Sequence, residues 1–324
     1  MKILLIQFKA IGDVLMCTPA IRFLREKFQN AIITFLVNDY AFDAIRYNPN
    51  IDNFIIFKRK MKWLKYIQQL LKLGKYNFDI VIDFHRNPRA SIATLFTGAK
   101  KRISFKEKHR NFIYNITIEP PDESTTYAAI KKLQLLQPFG ISEQDDFLPE
   151  LYITEKEKKW ANNIWNILGF KRDDLVIAIS PVSPRPYKIW PSDNFVQLCD
   201  YLIDKYEAKI IFTWGPGEYH IIKSILQKMR NQLEINYEIS SILQVKALYE
   251  KCSLYIGNDN GHRHIAITAD IPTIGIFDNP QTCYHWLPPD NTKHRIIYSA
   301  KKGIQNVSLE NVIKSVDNII LDIE

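Results

Sequence analysis

Short apolar runs alternate with amphipathic stretches along nearly the whole chain. Residues 3–8 read as a strand buried on both faces. Residues 14–28 follow as a helix, with Val14, Ile21, Leu24 and Phe28 on one face. Further strands are predicted at 32–37, 54–57 and 80–84, and a helix over Trp63–Leu73. That alternation predicts a parallel sheet covered by helices. The pattern then weakens. Pro120-Pro121-Asp122-Glu123-Ser124 reads as a loop, and Phe139-Gly140 followed by Asp145-Asp146 as a surface crossing, which puts a domain boundary near 140–155. A second series has strands at Val176–Ser180, 209–213, 254–257 and 273–277. Helices are expected near 156–168, 193–206, 218–230, 242–251 and 262–269. Ser308 is placed to cap a last helix with Val312, Val316 and Ile319 on its inner face. The expected fold class is α/β, with two Rossmann-like domains facing each other.

A chain of 324 residues has room for two domains of about 100–200 residues each. At 46% hydrophobic and 24% charged it is globular, which excludes a disordered or disulfide-scaffold class. The charge is unevenly placed. Residues 1–150 hold 23 Lys+Arg against 15 Asp+Glu, and residues 151–324 hold 20 of each, so the whole net charge of +8 lies in the first half. An anionic substrate, membrane surface or nucleic acid would suit that half; a solvated lysine-rich surface is the competing reading. Cys17, Cys199, Cys252 and Cys283 are far apart, without metal or disulfide spacing. The apolar start is too short for a secretion signal, and no stretch approaches the ~18 residues of a membrane span. A reduced, cytoplasmic, soluble protein is expected.

Candidate chemistry clusters just after strands, where ligands of parallel sheets bind. Gly12-Asp13 follows the first strand; Asp13 is either a helix-start carboxylate or a general base. Ser183, Arg185 and Lys188 lie on a proline-stiffened loop suited to phosphate, or form an ordinary turn. Glu218, after Trp214-Gly215, would accept ribose hydroxyls or simply open a helix. Asp259-Asn260-Gly261-His262-Arg263-His264 opens another helix with the free amides of an anion site. His262 and His264, two apart, point to different helix faces, so a shared metal is not expected. A basic run, Lys58-Arg59-Lys60-Met61-Lys62-Trp63-Leu64-Lys65, and a second at Lys100-Lys101-Arg102, then Lys106, Lys108 and Arg110, supply 11 of the 23 first-half cations.

Four of these motifs occur in one order. Gly12-Asp13-Val14-Leu15 with Thr18-Pro19, Lys188-x-Trp190-Pro191, Trp214-Gly215-x-x-Glu218 and Asp259-x-Gly261-x-x-His264 together resemble the ADP-heptose:lipopolysaccharide heptosyltransferases, glycosyltransferase family 9. The resemblance implies the GT-B fold, with a central cleft and a C-terminal helix crossing back to the first domain. Residues 1–150 would take the acceptor, 151–307 the nucleotide sugar, and 308–324 would form the returning helix. It implies an inverting, metal-independent transfer of heptose from ADP-heptose to an anionic Kdo/heptose inner core, by a cytoplasmic monomer touching the inner membrane peripherally, without nucleic acid or cofactor. Asp13 would be the catalytic base and Lys188 the catalytic cation. Ser183, Lys188, Glu218, Ser240, Asp259, Gly261 and His264 would bind the donor; Gly12, Lys58, Arg59 and Lys62 would bind the acceptor. Departures from the pattern stand at Lys9-Ala10, His85-Arg86, Pro184, Asn260 and Phe277-Asp278-Asn279-Pro280. They keep open a different nucleotide sugar, a non-catalytic binder on the same scaffold, or a sugar-nucleotide epimerase.

Overall fold

A computed structural model describes residues 1–122, 124–141, 146–289 and 292–323, with the backbone alone for Pro280, Thr282 and Ile323. Glu123 and residues 142–145, which carry part of the expected loop and crossing, lie outside the described residues. The chain divides into two compact units, Met1–Tyr152 and Ile153–Glu324.

The first unit runs β1 (Lys2–Ile6), α1 (Ile11–Leu15), α2 (Thr18–Lys27), β2 (Ile32–Asn38), β3 (Asn53–Phe57), α3 (Trp63–Leu73), β4 (Ile80–Asp83), α4 (Pro88–Phe96), β5 (Lys101–Phe105), β6 (Ile116–Ile118) and α5 (Ala128–Gln134). Its strands form one parallel sheet in the order β3-β2-β1-β4-β5-β6. Leu4 and Ile6 of β1 point into a core closed by Leu70 and Leu73 of α3 and Ala90 and Ala93 of α4. α2 packs with α5.

The single helix expected over 14–28 is two. Pro19 has no N–H to give to residue 15; the Thr18 hydroxyl donates to the Leu15 carbonyl instead, at 2.7 Å, and the chain restarts as α2. Of the run Lys100-Lys101-Arg102, the two lysines are exposed, while the Arg102 guanidinium, in β5, donates to the carbonyls of Ala99 and Ile113. Strands β5 and β6 and helices α4 and α5 lay in the stretch where the periodicity weakened.

The second unit runs α6 (Glu155–Ile167), β7 (Val176–Ser180), α7 (Ser192–Tyr206), β8 (Lys209–Phe212), α8 (Tyr219–Leu226), α9 (Ile242–Tyr249), β9 (Leu254–Asn258), α10 (Gly261–Thr268), β10 (Thr273–Ile276), α11 (Pro280–Trp286), β11 (His294–Ile297) and α12 (Leu309–Ile323). Its parallel sheet has the order β11-β10-β9-β7-β8. Ser308 accepts from the Asn311 N–H at the head of α12, whose Val312, Val316 and Ile319 are buried. Within this unit α12 packs on α7, β10 and β11, and Asp317 accepts from Tyr201, Lys205 and Tyr206. The helix expected over 218–230 ends at Leu226.

In each sheet the strand order reverses once, between β1 and β4 and between β7 and β9. The crevice at that reversal, outside the carboxyl ends of the strands, is where such sheets take ligands.

Candidate active site

At the reversal of the first sheet, β1 delivers Gly12 and Asp13, and β4 delivers His85 and Arg86. Gly12 is buried at the start of α1, and the half-buried Asp13 accepts from the Ala10 N–H at 3.1 Å. Beneath it lies a polar layer the motifs did not mark. The buried Lys132 of α5 donates to Gln7 Oε1 at 3.0 Å and to the Phe84 carbonyl at 2.6 Å. Gln7 Nε2 bonds in turn to the Lys9 carbonyl and, at 2.8 Å, to His85 Nδ1. Burial, aided by the charges of Lys132 and Lys9 and opposed by Asp13, pulls the His85 pKa down to about 4. Its imidazole is therefore neutral at pH 7, and Nδ1 accepts from Gln7. Asp83, also buried, accepts from Tyr114 Oη at 2.5 Å and from the N–H groups of His85 and Arg86 at 2.8 and 3.1 Å. Those bonds fix the turn after β4. Cys17 donates its thiol to the Asp13 carbonyl, and burial pushes that thiol up to about 12, so it is inert.

Lys58, Arg59 and Lys62 lie on the exposed segment between β3 and α3. The Arg59 N–H donates to Asp39 Oδ1 at 3.1 Å, and its guanidinium lies 5.6 Å from the Tyr40 ring centre. Tyr40 feels Arg59, Asp13 and Asp39 together, so the basic segment and the candidate base share a neighbourhood. A cavity of about 370 Å³ opens beside it, lined by Arg59, Met61, Trp63, Tyr66, Arg89 and Ile92.

At the reversal of the second sheet, β7 delivers the loop from Pro181 to Lys188, and β9 delivers Asp259 to His264. Lys188 Nζ pairs directly with the Asp259 carboxylate, both side chains mostly buried. Ser183 Oγ accepts from the Arg185 N–H at 3.3 Å. The loop is pinned at Trp190, which is fully buried: its backbone N–H donates to Asn258 Oδ1 and its indole N–H to the Val307 carbonyl. Asn260 caps α10, accepting from the N–H groups of His262 and Arg263, and its Nδ2 reaches back to the Val182 carbonyl at 2.6 Å. The departure at Asn260 thus has a structural role: its side chain caps the helix and ties it to the loop. Gly261 opens α10.

His264 is buried, with its ring centre 4.9 Å from that of Trp286, and its Nδ1 has no hydrogen-bond partner among the described residues. Burial, joined by the charges of Arg263, His285 and Lys188, pulls its pKa down to about 3. Ser183, Lys188, Asp259, Gly261 and His264 therefore gather at one strand edge, as a cation and a neutral imidazole around a helix start. His262 faces elsewhere, with Nδ1 3.1 Å from Tyr249 Oη. Among the described residues no three His, Cys, Asp or Glu side chains group as metal ligands. A cavity of about 630 Å³ adjoins Lys188, with Arg185, Tyr187, Asn279, Lys302 and Gln305 in its wall; Lys302 was not singled out from the sequence.

Glu218 accepts from the Gly215 N–H at 2.8 Å at the turn after β8. Next to that turn is a cavity of about 600 Å³, whose wall includes Trp214, Gly215, Tyr219, Tyr237 and Ile239. The Trp214 ring centre lies 5.1 Å from that of Tyr219 and 5.6 Å from that of Tyr237. Ser240, the residue after Ile239, turns its N–H and hydroxyl to Gln244 Oε1. Tyr237 had no sequence signal, because the segment around it has no regular period.

Known proteins resemble this chain in sequence and in fold. The family model of glycosyltransferase family 9 (heptosyltransferase) matches residues 65–315. A lipopolysaccharide core heptosyltransferase of Haemophilus influenzae is 23% identical over 84% of this chain and 78% of its own. The crystal structure of a family 9 glycosyl transferase from Veillonella parvula superposes with a TM-score of 0.88 at 21% identity, covering 99% of this chain and 97% of its own. An E. coli heptosyltransferase solved with ADP-2-deoxy-2-fluoro heptose gives 0.77 at 15% identity, covering 98% and 99%. The fold is that of these GT-B enzymes, two Rossmann-like α/β domains. By sequence and by fold, the chain is a glycosyltransferase and belongs to family 9, the heptosyltransferase family.

Proposed function

We propose that the protein transfers a heptose, with inversion, from ADP-heptose to the inner core of a lipopolysaccharide. The observation that carries this reading is the convergence of Lys188, Asp259 and the buried His264, whose Nδ1 is unpartnered among the described residues, near the start of α10. A diphosphate is the ligand such a corner suits, because an ammonium and a helix N-terminus act on it together. The relatives' names supply the sugar and the acceptor class. The first unit takes the acceptor and the second the donor.

In the reaction, Asp13 removes the proton from the acceptor hydroxyl as its oxygen attacks the anomeric carbon. The bond from that carbon to the diphosphate breaks, through an oxocarbenium-like transition state. Negative charge grows on the leaving ADP. Lys188, shared until then with Asp259, and the N-terminus of α10 stabilise it; donors fixed beforehand need no reorganisation at that moment. Ser183 adds a hydroxyl, Glu218 holds the ribose, and the segment at Ser240 borders the adenine beside Trp214 and Tyr237. Gly12 lets the acceptor approach Asp13, and Lys58, Arg59 and Lys62 hold its carboxylates and phosphates. No step calls on a metal. The acceptor is lipid-borne, so the enzyme works as a cytoplasmic monomer in peripheral contact with the inner membrane.

The test is Asp13→Asn. Transfer should fall by roughly 10²–10⁴-fold, while ADP-heptose still raises the melting temperature as it does for the parent. Full turnover in this variant would remove Asp13 as the base. A thermal response to another nucleotide sugar, and none to ADP-heptose, would replace the donor.

A further inference from the structure

The outward side of α3 and α4 carries a surface that the transfer reaction does not use. Both helices cover the same face of the first sheet, with Leu70, Leu73, Ala90 and Ala93 turned inward. A surface helix ordinarily shows water a polar stripe. Here the outward side also carries large apolar residues on either side of the exposed Gln68: Leu64 is 76% exposed, Leu71 58% and Trp63 70%, and Ile92 and Leu95 of α4 are exposed as well. Leu64 and Leu71 stand seven residues apart, and Ile92 and Leu95 three apart, so each pair shares one helix face. The two helices pack against each other.

The formal charge carried by these two helices has one sign: Trp63–Leu73 holds Lys65 and Lys72, and Pro88–Phe96 holds Arg89, with no Asp or Glu in either. Lys65 and Lys72 flank the leucines along α3, and both are exposed. Leucine and isoleucine gain nothing from a sugar-phosphate backbone. They gain free energy at the boundary between lipid headgroups and acyl chains, where a tryptophan also settles and lysines meet lipid phosphates.

We propose that α3 and α4 form the face on which this enzyme lies against an anionic lipid bilayer, with Trp63, Leu64, Leu71, Ile92 and Leu95 entering the headgroup boundary. This deepens the reading of a lipid-borne acceptor, and rests on it for its purpose. The surface holds the enzyme at the membrane by bulk lipid, apart from any contact with the acceptor sugar.

The full chain is mixed with phosphatidylcholine vesicles, with or without phosphatidylglycerol, and with no glycolipid in either. Binding should be at least about tenfold stronger to the anionic vesicles and should weaken in high salt. The triple substitution Leu64→Ser/Leu71→Ser/Leu95→Ser keeps the net charge and should cost about tenfold or more in vesicle binding. Turnover of a water-soluble acceptor fragment should be unchanged, while turnover of acceptor held in vesicles should fall. Circular dichroism checks the fold of the variant. Lys65→Glu/Lys72→Glu gives a second route that leaves the leucines in place, and it too should weaken anionic binding. Equal binding to both vesicle types, or unchanged binding by both variants, would overturn the proposal. So would an oligonucleotide bound as tightly by the leucine variant as by the parent with no vesicle binding, which would make the face a nucleic-acid surface. Vesicle binding without transfer to any acceptor would instead sink the catalytic reading and leave the docking face standing.

Discussion

The two sheets present their ligand edges in different ways. At the edge of the second sheet the polar groups are held half-buried and cross-braced. Lys188 is set against Asp259, its loop is anchored by the buried Trp190, and Asn260 bonds both the helix start and the loop. At the edge of the first sheet the charges separate into two populations. Lys132 and Asp83 are buried beneath Asp13, and Lys58, Arg59 and Lys62 stand in solvent on a segment with few bonds. A small, rigid diphosphate is best served by donors that do not move. A large, branched, charged acceptor is served by cations free to adapt. That contrast in bracing matches the two ligands proposed above for the two units, a diphosphate and a large charged acceptor.

The largest effect that would test this contrast comes from the braced cation. Lys188→Ala should lower kcat by roughly 10²–10³-fold and weaken ADP binding. Adding Asp259→Asn should cost much less than a second loss of that size, because the two side chains act as one unit. Calorimetric titration with ADP and steady-state rates check both. Independent, multiplying losses would mean that the pair is not a unit.

The anchor comes next. Trp190→Ala should destabilise the protein by about 3–5 kcal/mol in chemical denaturation. Trp190→Phe, which loses chiefly the bond to the Val307 carbonyl, should cost about 1 kcal/mol. No comparable sensitivity is expected for any single residue of 58–62.

Acidification should separate the units. His262, His264 and His294 of the second unit are pulled down to about 4, 3 and 3, and His85 of the first to about 4, in each case chiefly by burial. The folded state refuses protons that the unfolded chain accepts near pH 6.5. Stability is therefore complete above pH 6.5 and is lost as the pH falls toward 4, by up to about 1.4 kcal/mol per pH unit for each histidine. With three of the four, the second unit should melt first; hydrogen exchange at pH 7 and pH 5 reads this directly. His264→Gln should flatten the profile.

The smallest effect is at the cap. Asn260→Ala should cost about 1 kcal/mol, and Asn260→Ser less, since serine can still cap α10. Thermal melts of the two variants settle the order.

Much of the fold was legible because buried parallel strands are short, nearly continuous apolar runs. Val176–Ser180 and Trp63–Leu73 have in the structure the bounds that their periodicity predicts. The failures have identifiable causes. Arg102 looks like surface charge, yet its guanidinium is spent on backbone carbonyls at the start of β5. The break before α2 turns on Pro19, a helix-compatible residue when it stands in a first turn. At the candidate site, the residues just after β1, β7 and β9 could be chosen from sequence, because chemistry collects at the carboxyl ends of such strands. Lys132 and Tyr237 could not. Nothing around Lys132 distinguishes it from a solvated lysine of α5; only the fold buries it beside Gln7 and Phe84.

The four cysteines have a practical consequence. All are buried and reduced, and burial raises the pKa of each thiol above its ordinary value. The natural chain is in effect already blank toward maleimides. One cysteine placed at position 64, or on the 58–62 segment, would be the fast-reacting thiol without any deletion of native ones. A polarity-sensitive dye attached there turns arrival at a lipid surface into an optical signal, read on an otherwise unaltered enzyme.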